Sequence, residues 1–242
     1  KKVLWLAADY NYGQIVSSWV KKSVGDNGCE GMTVEFFPLY VTYFGAGISK
    51  IQGAKPDMVW SALVGGAHIS FYRQWHAAGM SGKIPIASTV FGGGNEHIIL
   101  SPEESNGILV AANYMQEIPS AENKAFVDKF HARYGDMYIS DLAMGAYQGM
   151  LIWAEGVRKA GDIDRMKVIE ALESGVTLTS PSGQLSVDPT THHCSLDVHI
   201  AEVENHQMKI LETFTNQAPV DTAMVCDLKK NPRDTKQYQI EL

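Results

Sequence analysis

Residues 3–13 read VLWLAADYNYG, and this stretch decides how the chain folds. Its first six residues are continuously apolar, which is typical of a parallel strand covered on both faces. The polar segment 9–13 then predicts a turn, and apolar residues at helical spacing predict a helix over about 14–24. A strand, a turn and a helix in this order predict the start of a βαβ unit.

The same alternation continues to about residue 112. Further strands are predicted at 33–37, 57–63, 84–89 and 107–112, with helices at 47–53 and 66–78. Strands that alternate with helices at this spacing predict right-handed βαβ units. The fold class is therefore α/β, with a doubly wound and mostly parallel sheet.

The rest of the chain has a different character. Helices are predicted at 121–134, with Ser120 as N-cap, at 141–160, and at 164–173. The second of these is apolar on more than one side, which predicts deep burial. From Gly183 the apolar period falls to two, which predicts antiparallel strands, followed by a polar tail. The predicted segments are 1–115 (α/β ligand-binding domain), 116–182 (helical segment) and 183–242 (C-terminal strands and tail).

Composition excludes several classes of function. The formal net charge is −7 over 242 residues, which argues against a nucleic-acid partner, because such a partner needs a clustered basic face. The longest apolar runs are strand-length, so no transmembrane helix is expected. Cys29, Cys194 and Cys226 are too few for a disulfide framework, and the sequence does not pair them. No signal peptide is predicted at the start, and this does not decide the compartment.

The candidate ligand site lies where three predicted strands end. In an open parallel sheet, ligands bind beyond the carboxyl ends of the strands, and the segments 9–13, 64–66 and 89–96 occupy that position. Tyr10 and Tyr12 could offer ring faces and hydroxyls to a small polar ligand. The alternative is that one ring packs on the following helix while the other faces solvent.

Motifs for cofactors, metals and catalysis are weak. The run Gly92-Gly93-Gly94 permits close backbone approach, but without GxGxxG or GxxxxGK[ST] it predicts a ligand-contacting or mobile loop and no nucleotide site. His192 and His193 are adjacent on a predicted strand and point to opposite faces, which favours a structural role over a zinc site. No catalytic residue, metal or cofactor is predicted. The enzyme alternative would use Glu96 or His97 as the acid–base residue.

Several stretches together resemble the type I periplasmic solute-binding proteins of ABC transporters, specifically the branch that binds urea and short-chain amides. They are LAADYNYG (6–13), PIASTVFGGGNE (85–96), Asn113-Tyr114 with NKAFV (123–127), Ala146-Tyr147, and SPSGQLSVDPTTHH (180–193). Their order and spacing match the family to about Asp227. The resemblance implies a type I periplasmic-binding fold, in which two α/β lobes close on the ligand about a hinge.

The resemblance also implies a site and partners. The ligand would be urea, a short-chain amide or an amino acid, and the partner an ABC transporter permease in the periplasm, with a homodimer left open. A cytoplasmic amide-sensing regulatory protein of the same fold is the alternative. The implied ligand contacts are Tyr10, Tyr12, Gly65, Gly66, Thr89, Val90 and Phe91.

Three departures from the family pattern bear on these expectations. The sequence starts without the family's first lobe, which supplies the other half of the clamp. The loop 91–94 replaces the serine- and glutamate-rich loop of urea and amide binders, and Gly13 stands where the amide-binding relatives often carry proline. The first departure concerns whether the chain binds a ligand by itself, and the other two leave the ligand's identity open.

Overall fold

The computed structural model describes residues 1–236, which form two compact units. Of the described residues, the first unit comprises 1–112 and 200–212, and the second comprises 113–199 and 213–236. The strands β8 (Cys194–Glu204) and β9 (Gln207–Gln217) contribute residues to both units. Residues 237–242, the end of the predicted polar tail, lie outside the described residues.

The first unit is a parallel sheet whose strands alternate with helices. The strands are β1 (Lys2–Ala8), β2 (Glu30–Phe37), β3 (Met58–Ala62), β4 (Ile86–Ser88) and β5 (Leu109–Ala112). The helices are α1 (Asn11–Asp26), α2 (Gly45–Ala54), α3 (Gly66–Ala77), α4 (Glu96–Ile99) and α5 (Pro102–Ser105). The strands lie in the order β2-β1-β3-β4-β5, and each neighbouring pair is parallel. The predicted α/β class with a mostly parallel sheet is confirmed.

Helix α1 begins earlier than predicted, at Asn11, so Tyr12 and Gly13 belong to its first turn and not to a loop. The reason is a close approach at the end of β1. A Cβ atom added to Gly13 would lie 1.9 Å from the carbonyl oxygen of Ala8. Because residue 13 has no side chain, the helix can start directly against the end of the strand.

The second unit combines helices with antiparallel strands. Its elements are α6 (Ala121–Tyr134), α7 (Asp141–Ala160), α8 (Arg165–Glu173), β6 (Thr177–Ser180), β7 (Gly183–Val187) and α9 (Val220–Val225). The first three helices match the predicted bounds within one residue, and Ser120 Oγ accepts the amide hydrogen bond of Asn123 at 3.1 Å, as predicted for an N-cap. Strand β7 pairs antiparallel with β6 and β8, which confirms the predicted antiparallel strands.

The prediction that α7 is deeply buried is wrong for the described residues. Met144 is fully buried, but Leu142 is 71% exposed and Trp153 is 49% exposed. One face packs tightly on α8, since a Cβ added to Gly156 would lie 3.0 Å from Leu172 Cδ2, while the opposite face stays open. No helix in residues 1–236, α7 included, has both the length and the apolar character needed to cross a membrane.

Replacing Gly13 by alanine should lower the free energy of unfolding by about 1–3 kcal/mol, because the new Cβ must displace the backbone of Ala8. Gly25→Ala is the matched control in the same helix, since no heavy atom lies within 4 Å of the added Cβ. That change should raise stability by roughly 0.5–1 kcal/mol, the usual gain of alanine over glycine in a helix. Urea denaturation followed by circular dichroism measures both. Equal stability of the two variants would contradict the close approach.

Candidate functional site

The carboxyl edge of the parallel sheet brings together three of the predicted site residues. The hydroxyl of Tyr12, in the first turn of α1, lies 3.0 Å from Thr89 Oγ1, directly after β4. Tyr10 is 37% exposed, and its ring centroid lies 5.9 Å from that of Tyr12. Since β3 lies between β1 and β4, the hydrogen bond spans the end of the central strand. The edge therefore presents an aromatic surface next to a hydroxyl pair.

Two helices begin at this edge without a side-chain cap. The N-cap positions of α1 and α3 are Tyr10 and Gly65, and neither helix has an acidic residue in its first turn. Among the described residues, the amides of Asn11 and Gly66 have no hydrogen-bond acceptor. Free amides and the positive end of a helix dipole favour a carboxylate or carbonyl oxygen. Sequence reasoning missed these backbone donors, although the lack of Ser, Thr, Asp or Asn at both N-cap positions signals them.

Gly65 and Gly66, two of the predicted ligand contacts, are both exposed. Gly65 has φ +63°, a backbone conformation that glycine adopts without strain, and no atom would lie within 4 Å of an added Cβ. The turn between β3 and α3 thus leaves room directly in front of the free amide of Gly66.

The remaining predicted contacts, Val90 and Phe91, differ in character. Both amides donate to Ser88 Oγ, at 3.2 and 3.1 Å, which folds the chain back after β4. Val90 is half-buried, but the Phe91 ring is only 2% exposed and stacks edge-on to Tyr72 with centroids 4.9 Å apart. The Phe91 ring is therefore part of the core, and the contact of Phe91 with a ligand stays a prediction for its backbone.

The glycine loop is organised by the carboxylate of Glu96. Glu96 Oε2 accepts hydrogen bonds from the amides of Gly92 at 2.7 Å and Gly94 at 3.1 Å. Glu96 and His97 are both buried, and burial followed by the nearby charge of His206 lowers the pKa of His97 to about 4. These positions give Glu96 a structural role and remove it from the exposed edge where an acid–base catalyst would be needed.

Below the loop, His68 is a buried histidine without a hydrogen-bond partner. It lies in the first turn of α3, its ring is packed against Tyr72 and Phe91, and neither ring nitrogen has a partner among the described residues. Burial lowers the pKa of His68 to about 4, so the residue is neutral at pH 7. An apolar packing role agrees with its expected place in a helix.

The histidine pair of the second unit has a structural contact. His192 Nε2 lies 2.8 Å from Glu173 Oε1, and the residue adopts φ 61°. Within the described residues there is no group of three or more His, Cys, Asp or Glu side chains that could hold a metal ion. All three cysteines are free thiols.

Comparison with known proteins finds relatives among the solute-binding proteins. A family model for periplasmic binding proteins matches residues 1–207. The chain is 30% identical over 191 residues to the leucine-, isoleucine-, valine-, threonine- and alanine-binding protein of Pseudomonas aeruginosa, which covers 78% of this chain and 49% of the relative. It is 25% identical over 229 residues to Leu/Ile/Val-binding protein homolog 6 of Brucella melitensis, which covers 90% of this chain and 58% of the relative.

A solved structure is also similar. The solute-binding protein of an ABC transporter from Rhodopseudomonas palustris HaA2, in complex with p-hydroxybenzoic acid, has a TM-score of 0.76 and 26% identity, covering 90% of this chain and 61% of that one. The chain thus spans about half to three fifths of the length of these relatives. The ligands in these names are amino acids and an aromatic acid, so the urea and amide branch stays a prediction.

The buried His68 predicts a pH-dependent stability. Its pKa is about 4 in the folded protein and about 6.5 when unfolded, so the unfolded state binds more protons between these values. Stability is therefore complete above about pH 6.5 and falls as the pH drops toward about 4, with His68 contributing a loss of about 3 kcal/mol. His68→Phe should remove this part of the decline and leave the part due to His97, whose pKa is also about 4, while His76→Phe, at an exposed position of the same helix as His68, should leave the whole decline unchanged. Urea unfolding across this pH range would contradict the assignment if both variants followed the unmutated protein.

Proposed function

This chain belongs to the periplasmic binding protein family, and we propose that it binds a small solute without catalysis and presents it to an ABC transporter permease. The solute carries a carboxylate or carbonyl oxygen on a small apolar or aromatic body. The proposed location is the periplasm. Urea and short-chain amides remain candidate ligands beside amino acids and aromatic acids.

The observation that carries this proposal is the pair of uncapped helix N-termini at the carboxyl edge. The free amides of Asn11 and Gly66 can donate to a ligand oxygen, and the two helix dipoles favour a negative charge there. A small solute needs only a few placed polar groups beside an apolar wall. Tyr10 and the Tyr12–Thr89 pair supply such a wall and its hydroxyls.

The names of the relatives support an acid over a neutral amide. The amino acids named for the Pseudomonas aeruginosa protein and the p-hydroxybenzoic acid bound to the Rhodopseudomonas palustris protein all carry a carboxylate. Asp9, exposed beside this edge, adds a feature that suits an amino acid, because its carboxylate could pair with an α-ammonium group. A urea or amide ligand would use the same amides through its carbonyl oxygen alone.

The complete gene product is proposed to close a further lobe over this edge. The chain spans 49% of one curated relative and 58% of another, so a large part of such proteins is matched by no residue of this chain. Closure about a hinge would exclude water from the free amides and strengthen each hydrogen bond to the ligand. The selectivity for one ligand would then depend on the residues of this edge and on those of the further lobe.

Calorimetric titration of the complete gene product with matched acid and amide pairs tests the ligand class. We expect leucine or 4-hydroxybenzoate to bind at least about tenfold more tightly than leucinamide or 4-hydroxybenzamide, which corresponds to about 1.4 kcal/mol. The amides keep the shape of the acids but lose the charge that the helix N-termini favour. Tighter binding of urea or acetamide than of either acid would contradict the carboxylate assignment and favour the amide branch.

The Tyr12 hydroxyl can be tested with a single-atom change. Tyr12→Phe removes the hydrogen bond to Thr89 Oγ1 and should weaken the affinity for the bound solute by roughly two- to tenfold, the usual value of one hydrogen bond. Tyr40→Phe is the control, because Tyr40 is 86% exposed. If both variants bind the solute as the unmutated protein does, the Tyr12–Thr89 pair is not part of the site.

A further inference from the structure

The first unit has a cavity at the end of the sheet opposite the candidate ligand edge, where β4 and β5 begin. Its volume is about 320 Å³. Its lining includes Trp75 from α3, Ile86 from β4, Glu104 from α5, Gly107 and Ile108 from the turn before β5, and Glu202 from β8. Ile86, which lines this cavity, is the first residue of β4 and precedes Thr89 by three residues, a span of about 10 Å at the usual rise per residue. The two sites are therefore distinct.

The cavity combines an apolar floor with an acidic rim. Trp75, Ile86 and Ile108 are buried residues that supply the floor. Glu104 and Glu202 supply two carboxylates, and no Lys, Arg or His occurs among the described lining residues. A pocket of this size with a few convergent polar groups has the form of a small-molecule site. Its charge selects for a cation.

Glu202 carries the charge that is available to a ligand. One oxygen of Glu104 accepts the amide of Ser101 at 2.9 Å, and the other lies 3.9 Å from Arg73 Nε, so Glu104 is partly neutralised. Glu202, which is half-buried, has no hydrogen bond or ion pair among the described residues. A half-buried carboxylate without a partner gains most from a cation that brings its own hydrogen-bond donors.

The backbone holds Glu202 in place above the cavity. The amide of Gly107 donates to the carbonyl of Val203, and the amide of Val203 donates to the carbonyl of Ile108, both at 2.9 Å. A Cβ added to Gly107 would lie 3.9 Å from Glu202 Oε1, and Gly107 has φ +84°. Glycine at this position thus leaves the space beside the carboxylate open to a ligand.

We propose that this cavity binds an organic monocation, a primary ammonium group on a small apolar or aromatic body. The ammonium group donates to Glu202, and the body packs on the apolar floor beside the Trp75 indole. The proposal does not depend on the solute bound at the carboxyl edge, because the two sites share no lining residue.

The experiment follows benzylammonium binding to the complete gene product by NMR. The reporter is the indole N–H signal of Trp75, assigned with Trp75→Phe. We expect benzylammonium to shift this signal in a saturable way, whereas benzyl alcohol, its neutral analogue, should bind at least about fivefold more weakly because it lacks the charge. Excess leucine and 4-hydroxybenzoate should leave the effect unchanged, which separates this site from the proposed solute site.

Two variants locate the contact. Glu202→Gln keeps the shape of the side chain and should weaken benzylammonium binding by at least about fivefold. Glu204→Gln is the matched control on the same strand, since Glu204 pairs with Lys209 and does not line the cavity, and it should bind like the unmutated protein. Thermal unfolding of both variants checks that the fold is kept.

Three results would overturn the proposal. They are no shift of the Trp75 signal, equal binding of benzyl alcohol, or equal binding by the unmutated protein and Glu202→Gln. If Glu202→Gln does not fold, the salt dependence in the unmutated protein decides: binding must weaken as sodium chloride rises if the charge of Glu202 contributes.

Discussion

The close approach of Gly13 to the carbonyl oxygen of Ala8 is the constraint on which the candidate ligand edge depends. It lets α1 begin at Asn11, so that only Asp9 and Tyr10 separate the helix from the end of β1 at Ala8. Tyr12 is then part of a helical turn, which fixes the direction of its side chain toward Thr89. A larger residue at position 13 would push the helix away from the strand and move the Tyr12 hydroxyl away from Thr89. The placement of the tyrosines follows from a residue that makes no contact with a ligand.

The polarity of the edge is set by how nearby charges are neutralised. The carboxylate of Glu96 is buried and accepts the amides of Gly92 and Gly94, so its charge is held within the loop. The helix N-termini at Asn11 and Gly66 have no comparable internal partner among the described residues. The unsatisfied backbone groups of these two helix N-termini are therefore hydrogen-bond donors. A ligand that accepts hydrogen bonds is the natural complement.

Much of this arrangement can be predicted from the sequence, and the exceptions have physical causes. The apolar run before Tyr10 and the cap at Ser120 depend on local patterns, so they predict strand β1 and helix α6 well. Strand β6 escapes prediction because three of its four residues are Thr or Ser and show no apolar period. The burial of the Phe91 ring and the exposure of one face of α7 depend on tertiary packing, which local sequence patterns do not predict. Phe91 is buried because its ring packs against Tyr72, whereas the exposed face of α7 stays uncovered within the described residues.

The same helix contributes to the charge preference at both ends of the sheet. In a parallel βαβ unit every helix runs back from the carboxyl edge of the sheet to the amino edge. The positive end of the helix dipole therefore lies at the carboxyl edge, and the negative end lies at the amino edge. Helix α3 begins at Gly66, by the tyrosines, and ends at Ala77, two residues beyond Trp75, which lines the cavity at the amino edge. Its dipole therefore favours oxygen ligands at one edge and adds to the attraction of Glu202 for a cation at the other. The topology of the βαβ unit thus favours an anionic ligand at the carboxyl end of β4 and a cationic ligand at its amino end. Side chains such as Glu202 reinforce this preference.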